Sequence, residues 1–143
     1  LEACLYQRGE VSGERLWGGL DQIFGGLERA YSRLCVINYC PLVFLGPTGR
    51  NVTPSELPKT GLYRDMITAC DEHLRRVVKA LGARVVVGIG NYSFDRCRIA
   101  LTNTATIVKV PHPSPRNPSA AVSWLSDATK IIHDADTLAH QVQ

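Results

Sequence analysis

Apolar side chains recur every three or four positions over residues 62–81, and a run of β-branched residues follows at 84–90. The first pattern predicts an amphipathic helix that ends at Gly82, and the second predicts a strand that is buried on both faces. A helix that leads into such a strand is typical of a parallel sheet, because parallel neighbours need a long crossover connection. The chain is therefore expected to fold as an α/β protein.

The remaining segments continue this alternation of helices and strands. Helices are predicted over 12–24, from 91 or 93 to about 101, and over 119–138, and strands are predicted over 34–37, 42–45 and 106–110. The order favours a parallel sheet covered by helices on both faces, with ligands bound beyond the carboxyl ends of the strands. Two loops are expected there, one from Asn38 onward and one from Pro111 onward.

Length and composition limit the class of protein. The 143 residues leave room for one domain with its own core, and 45% hydrophobic and 20% charged residues are ordinary globular usage. No apolar run approaches the roughly 18 residues that a membrane span needs, so no membrane partner is expected. The net charge is +3, and 12 of the 16 basic residues are Arg, which permits nucleic acid as a partner.

The cysteines do not form a metal-binding pattern. Five of them lie at positions 4, 35, 40, 70 and 97, without the close pair that zinc sites use. Reduced thiols are the simplest interpretation, and this spacing gives no reason to expect a zinc site.

Half of the eight prolines lie in one segment, which reads Pro-His-Pro-Ser-Pro-Arg-Asn-Pro over residues 111–118. Proline fixes φ and removes backbone donors, so the segment is held extended and its other side chains project from a stiff scaffold. Such a loop suits recognition or catalysis, and an Arg at its tip suits a wedge pressed into a duplex. A plain linker, or a PxxP ligand for an SH3-type domain, remains an alternative.

Asn38 closes the first predicted strand and precedes Tyr39. An Asn amide carries two donors and an acceptor, so it can pair in two-pronged fashion with the edge of a base. The alternative is a turn-forming Asn at the end of a strand.

Several segments occur together in an order that points to one family. They are Val11-Ser12-Gly13 with Trp17-Gly18, Asn-Tyr-Cys-Pro-Leu at 38–42, Gly-Arg-Asn-Val-Thr-Pro at 49–54 with Glu-Leu-Pro at 56–58, Val-Val-Gly-Ile-Gly at 86–90, and His-Pro-Ser-Pro-Arg-Asn-Pro at 112–118. In these segments, from about residue 11 to 124, the chain resembles the single-strand-selective monofunctional uracil-DNA glycosylases. The resemblance implies a single three-layer αβα domain with a short parallel sheet.

The resemblance also implies a role for each matching residue. Asn38 would read the edge of uracil, and His112 would act catalytically against uracil O2 as the glycosidic bond breaks. The wedge that holds the duplex open after the base leaves would comprise Pro113, Ser114, Pro115, Arg116 and Asn117. Arg50, Asn51 and Thr53 would have a supporting, backbone-contacting or purely structural role.

The implied function is excision of uracil and of oxidised uracils such as 5-hydroxymethyluracil from single- and double-stranded DNA in base excision repair. The family works by flipping the base out of the stack and needs no cofactor. DNA is the implied partner, and a monomer in the nucleus is expected by kinship.

One family motif has no counterpart in the sequence. The family's Gly-Met-Asn-Pro-Gly-Pro segment supplies an Asn that positions the attacking water, and an aromatic residue after it stacks on the base. The resemblance places both upstream of Leu1, together with a strand inside the sheet. We therefore expect these 143 residues to hold the base-reading and wedge half of a glycosylase, with exposed sheet edges and a partly uncovered core. The alternatives are a catalytically inactive DNA-binding remnant and a protein-interaction module.

Overall fold

The computed structural model of the chain describes residues 11–115 and 118–141, and at 118–123 and 141 it describes the backbone alone. The helices are α1 (Val11–Phe24), α2 (Leu27–Arg33), α3 (Gly61–Leu81), α4 (Gly90–Ala100) and α5 (Pro118–Gln141), and the strands are β1 (Phe44–Leu45), β2 (Asn51–Val52), β3 (Val85–Ile89) and β4 (Thr106–Val110). A short 3₁₀ turn covers Pro54–Glu56. The helices predicted over 12–24, 62–81, 91–101 and 119–138 are confirmed, as are the strands over 84–90 and 106–110. Helix α2 was not predicted.

The parallel pair β3–β4 forms the centre of the domain. Val85 is aligned with Thr106 at one end of the pair, and Ile89 is aligned with Val110 at the other. Helix α4 begins directly after β3 and forms the crossover between the two strands. Because the strands are parallel and in register, the loops that follow Ile89 and Val110 leave the sheet side by side.

Helices cover both faces of this sheet. On one face, α1, α2 and α5 bury Leu20, Ala30, Trp124, Ala128 and Ile132 together with Val110. On the other face, α3 and α4 bury Leu74, Val78, Cys97, Ala100 and Leu101. Successive side chains of β3 point to opposite faces of the sheet, so the strand contributes to both clusters. Val87 and Ile89 pack on the first cluster, and Val86 packs on the second. The expected three-layer αβα arrangement is confirmed.

The prediction of two buried strands at 34–37 and 42–45 is wrong. Residues 34–37 form no strand in the described part of the chain, and in 42–45 only β1 pairs, in an antiparallel hairpin with β2. Leu42, Val43 and Leu45 are 56%, 76% and 67% exposed. An apolar run becomes a buried strand only where a ladder partner and packing on both faces exist together, and neither segment has both in the described structure.

An apolar cleft of about 570 Å³ is lined by residues of the segment 34–37 and of β3. Leu34 and Val36 contribute from the segment, and Val85 and Val87 contribute from the strand. Within the described residues, β3 has a ladder partner only in β4, so its other edge faces this cleft. This arrangement agrees with the expectation of an exposed sheet edge and a partly uncovered core. In the part of the chain described, no helix has the length and apolar character to cross a membrane.

Candidate active site

The loop after β4 and the start of α4 meet at the carboxyl end of the sheet. Gly90 begins α4 with φ of +82°, and a Cβ built on it would lie 3.0 Å from His112 Cβ and 3.3 Å from His112 Cδ2. The His112 side chain therefore packs directly on the backbone at Gly90. Only glycine combines this positive φ with so close an approach at low cost.

Hydrogen bonding within the loop sets the tautomer of His112. The backbone N–H of Ser114 donates to His112 Nδ1 over 3.1 Å. A neutral imidazole whose Nδ1 accepts a hydrogen bond carries its proton on Nε2. His112 therefore presents a donor at Nε2.

Two side chains from different helices hold the proline loop at its carbonyls. Trp124 Nε1 in α5 donates to the Pro111 carbonyl over 2.8 Å. Arg15 Nη1 in α1 donates to the Pro113 carbonyl over 2.9 Å. Pro113 is also buried. Because the carbonyls of Pro111 and Pro113 are both held, the loop is anchored on both sides of His112. Its rigidity comes from these two contacts as well as from proline.

The residues predicted to form the wedge follow this anchored portion. Ser114 is half-buried and Pro115 is exposed. Arg116 and Asn117 lie outside the described residues.

Asn38 lies on a separate loop and is exposed. Its neighbours Ile37 and Tyr39 line the apolar cleft, and so do Ile89 and Val110, the last residues of β3 and β4. Asn38 itself and the described residues of the proline loop are not among the residues that line this cleft.

A buried polar network anchors the residue after Asn38. The Tyr39 hydroxyl donates to Asp71 Oδ1 in α3 over 2.6 Å, and Arg96 Nε in α4 donates to the Tyr39 hydroxyl oxygen over 3.1 Å. Arg96 Nη2 also pairs with Asp71 Oδ2. Burial, and then the hydrogen bond to Asp71, raise the pKa of Tyr39 above its ordinary value. The phenol therefore stays protonated at neutral pH and acts as the donor.

The network and the loop anchor were missed by sequence reasoning. Arg15 gave no signal, because its partner lies 98 positions away. Asp71 did give one, since it shares the buried face of α3 with Ile67, Cys70 and Leu74. A carboxylate inside an apolar stripe needs a partner of opposite charge, and the half-buried Arg96 is that partner.

Arg50 and Thr53 serve the structure of their own loop. Arg50 Nη1 donates to Glu56 Oε1 over 3.0 Å, and the Thr53 backbone N–H donates to Glu56 Oε2 over 2.8 Å. Hydrogen bonds from the Thr53 backbone, then its hydroxyl, then Arg50 lower the pKa of Glu56 to about 2. Asn51 lies in β2. These contacts within the loop favour the purely structural role for Arg50 and Thr53.

No cluster of three or more His, Cys, Asp or Glu side chains among the described residues has the geometry to hold a metal ion. The cysteines at 35, 40, 70 and 97 are free thiols.

The chain has an αβα fold and carries a histidine on a rigid proline loop at the carboxyl end of its parallel strands. Comparison of the sequence with models of protein families identifies the class of protein to which this arrangement belongs. The model of the uracil DNA glycosylase superfamily matches residues 7–131. The match covers most of the chain, so the chain belongs to the uracil DNA glycosylase superfamily. The resemblance found in the sequence is confirmed at the level of the family.

Individual relatives carry a narrower name. The chain is 39% identical over 132 residues to the single-strand selective monofunctional uracil DNA glycosylase of Bos taurus. The aligned residues cover 90% of this chain and 48% of the relative. The chain is also 39% identical to the proteins of the same name from Rattus norvegicus and Mus musculus, with 90% of this chain and 47% of each relative covered. The chain thus spans about half the length of these curated relatives.

Proposed function

We propose that this chain is the base-reading and wedge part of a glycosylase that hydrolyses the bond between uracil and deoxyribose in DNA. The observation that carries the proposal is the His112 loop, in which a donor at Nε2 is held on a scaffold fixed by Arg15 and Trp124. The relatives at 39% identity are named as uracil DNA glycosylases, which supports uracil in DNA as the substrate.

Uracil would be read by Asn38 after the base has been flipped out of the stack. The Asn38 side-chain carbonyl accepts from uracil N3–H, and its amide donates to uracil O4. Cytosine presents the reversed pattern of donor and acceptor at these two positions, so it leaves polar groups unpaired.

His112 would stabilise the charge that develops on the leaving base. As the glycosidic bond breaks through an oxocarbenium-like state, negative charge gathers on uracil O2, and His112 Nε2–H donates to it. One aimed donor of this kind is worth about 10² to 10³-fold in rate. The contacts of Arg15 and Trp124 keep the loop in place, so little reorganisation is needed during the reaction.

The segment from Pro113 to Asn117 would enter the gap left by the flipped base, with Arg116 as its tip. This step would allow excision from duplex as well as from single strands. We include in the proposal excision of oxidised uracils such as 5-hydroxymethyluracil, a role in base excision repair, and action as a monomer in the nucleus.

Uracil release from a labelled single-stranded oligonucleotide, read as strand scission by alkali, tests the proposal. Two forms are compared: the 143 residues as they stand, and a chimera in which the part of the Bos taurus relative that precedes the matched segment is fused in front of them. We expect release by the chimera and none by the 143 residues, because the water-positioning motif is absent from them. Release by the 143 residues would show that water activation lies within this chain.

The site is tested by variants of the chimera. Asn38→Asp replaces a donor with an acceptor and is expected to abolish uracil release. Asn103→Asp alters an exposed Asn in the turn after α4 and serves as the matched control. An unchanged rate in Asn38→Asp would refute the base-reading role. Salt-dependent binding of single-stranded DNA without release by either form would instead favour the inactive remnant.

A further inference from the structure

The loop that carries Asn38 has few local constraints of its own. Residues 34–38 have no strand partner in the described part of the chain, and Asn38 itself is exposed. Leu34 and Val36 pack on the core cluster next to α1, but apolar contacts are not directional. The position of the Asn38 amide therefore depends on what holds Tyr39.

Two hydrogen bonds join the Tyr39 hydroxyl to an ion pair, and the hydroxyl also lies 3.4 Å from the Ile67 carbonyl in α3. The hydroxyl donates to one carboxylate oxygen of Asp71, accepts from Arg96 Nε, and lies beside the pair between Arg96 and the other carboxylate oxygen. The side chains of Asp71 and Arg96 are 10% and 19% exposed. The Tyr39 ring also meets Tyr92 edge-on, with ring centroids 5.9 Å apart.

Such a pair contributes geometry more than stability. Burying two charges costs desolvation free energy that their attraction only partly offsets, so a well-packed apolar pair is often as stable. A guanidinium bound to a carboxylate, by contrast, has a fixed planar arrangement of donors. The pair joins α3 to α4 and gives the Tyr39 hydroxyl an acceptor at Asp71 Oδ1 and a donor at Arg96 Nε.

We propose that Asp71 and Arg96 act through Tyr39 as positioning residues that hold Asn38 where it reads the target base. The inference rests on the proposed function, because it assumes that Asn38 contacts the base. In this proposal Asp71, Arg96 and Tyr39 act through Asn38, which alone of the four contacts the base. Loosening the network would let the amide rotate between donor and acceptor orientations, which would weaken the discrimination between uracil and cytosine.

A double-mutant cycle in the chimera tests the proposal. Tyr39→Phe removes only the hydroxyl and keeps the aromatic ring. We expect kcat/KM for uracil to fall by about ten- to a hundredfold, the range for losing a hydrogen bond to a charged group. In an Asn38→Ala background, the same Tyr39→Phe change should have no further effect. Tyr31→Phe, at an exposed tyrosine that packs on Trp17, is the matched control.

A second readout separates positioning from a general structural role. DNA that contains an abasic-site analogue has no base for Asn38 to read, so its affinity should stay unchanged in Tyr39→Phe and Asp71→Asn. A parallel loss of abasic-site affinity and of uracil excision would overturn the proposal in favour of a structural role. Additive effects of Tyr39→Phe and Asn38→Ala would also overturn it, while leaving the role of Asn38 intact. An unchanged rate in Asn38→Ala alone would remove the proposed function of Asn38 and this inference with it.

Discussion

Two adjacent glycines in α1 should respond in opposite ways to the same substitution. A Cβ at Gly18 would meet nothing within 4 Å, whereas a Cβ at Gly19 would lie 2.7 Å from Trp124 Cζ3 and 3.4 Å from Leu125 Cδ1. Gly18→Ala gains only the helix preference of alanine over glycine, about 0.5–1 kcal/mol. Gly19→Ala gains the same amount but forces the indole to move, and overpacking of this kind costs about 1–3 kcal/mol.

The indole has little freedom to move away. Trp124 is 3% exposed, and its Nε1 donates to the Pro111 carbonyl that begins the His112 loop. We therefore expect Gly19→Ala to lower the free energy of unfolding by about 1–2 kcal/mol, and to lower uracil release by the chimera as well.

Urea unfolding of the 143-residue chain, followed by far-ultraviolet circular dichroism, measures both changes. The midpoint should rise for Gly18→Ala and fall for Gly19→Ala, with unchanged slopes. Equal shifts in the two variants, or a stabilised Gly19→Ala, would refute the packing of Trp124 against α1. A stability loss in Gly19→Ala without any loss of uracil release would refute the link between this contact and the loop.

The remaining predictions address the wedge, the loop anchor, the thiols and one carboxylate. Arg116→Ala in the chimera should reduce uracil excision from duplex more than from single strands, because only a duplex has a gap to hold open. Arg15→Ala should lower uracil kcat by about tenfold, in single-turnover assays, since one hydrogen bond to the loop is lost. A thiol reagent at pH 8 should label exposed Cys35 quickly and Cys70 only on unfolding, as read by peptide mass spectrometry, because burial raises the pKa of the Cys70 thiol to about 11. Glu56→Gln should lower the melting temperature at pH 7, and the difference from the parent should shrink as the pH falls from 4.5 towards 2. The pKa of Glu56 is lower in the folded chain than its ordinary value, so its ionised form stabilises the fold at pH values above 4.5, and this stabilisation is lost as the carboxylate becomes protonated.

Each of these has a contrary outcome. Equal losses on duplex and single strands would remove the wedge assignment of Arg116. An unchanged single-turnover rate in Arg15→Ala would show that proline alone keeps the loop rigid. Fast labelling of Cys70 in the folded chain would contradict its burial. A melting-temperature difference that is independent of pH would contradict the hydrogen bonds to Glu56.

Local patterns were enough to predict most of the secondary structure. The periodicity of α3 is strong, and its ends carry recognisable signals: the Thr60 side chain accepts from the Tyr63 backbone N–H, and Gly82 ends the helix with φ of +60°. Helix α2 escaped prediction because it has only seven residues and a single buried side chain, Ala30, too few for a periodic pattern. The segment 34–37 was read as a buried strand because an apolar run does not report whether a partner strand is present.

The sequence by itself determined the αβα class, the proline loop and, through the family resemblance, the candidate roles of Asn38 and His112. Only the tertiary structure decided which side chains hold the His112 loop and Tyr39, the neighbour of Asn38. The contact of Arg15 with the Pro113 carbonyl, and the pair of Asp71 with Arg96, join side chains that are 98 and 25 positions apart. Periodicity and motifs describe neighbours along the chain. The distance between side chains that are far apart in the sequence depends on how the helices pack on the sheet, and no local pattern reports that packing.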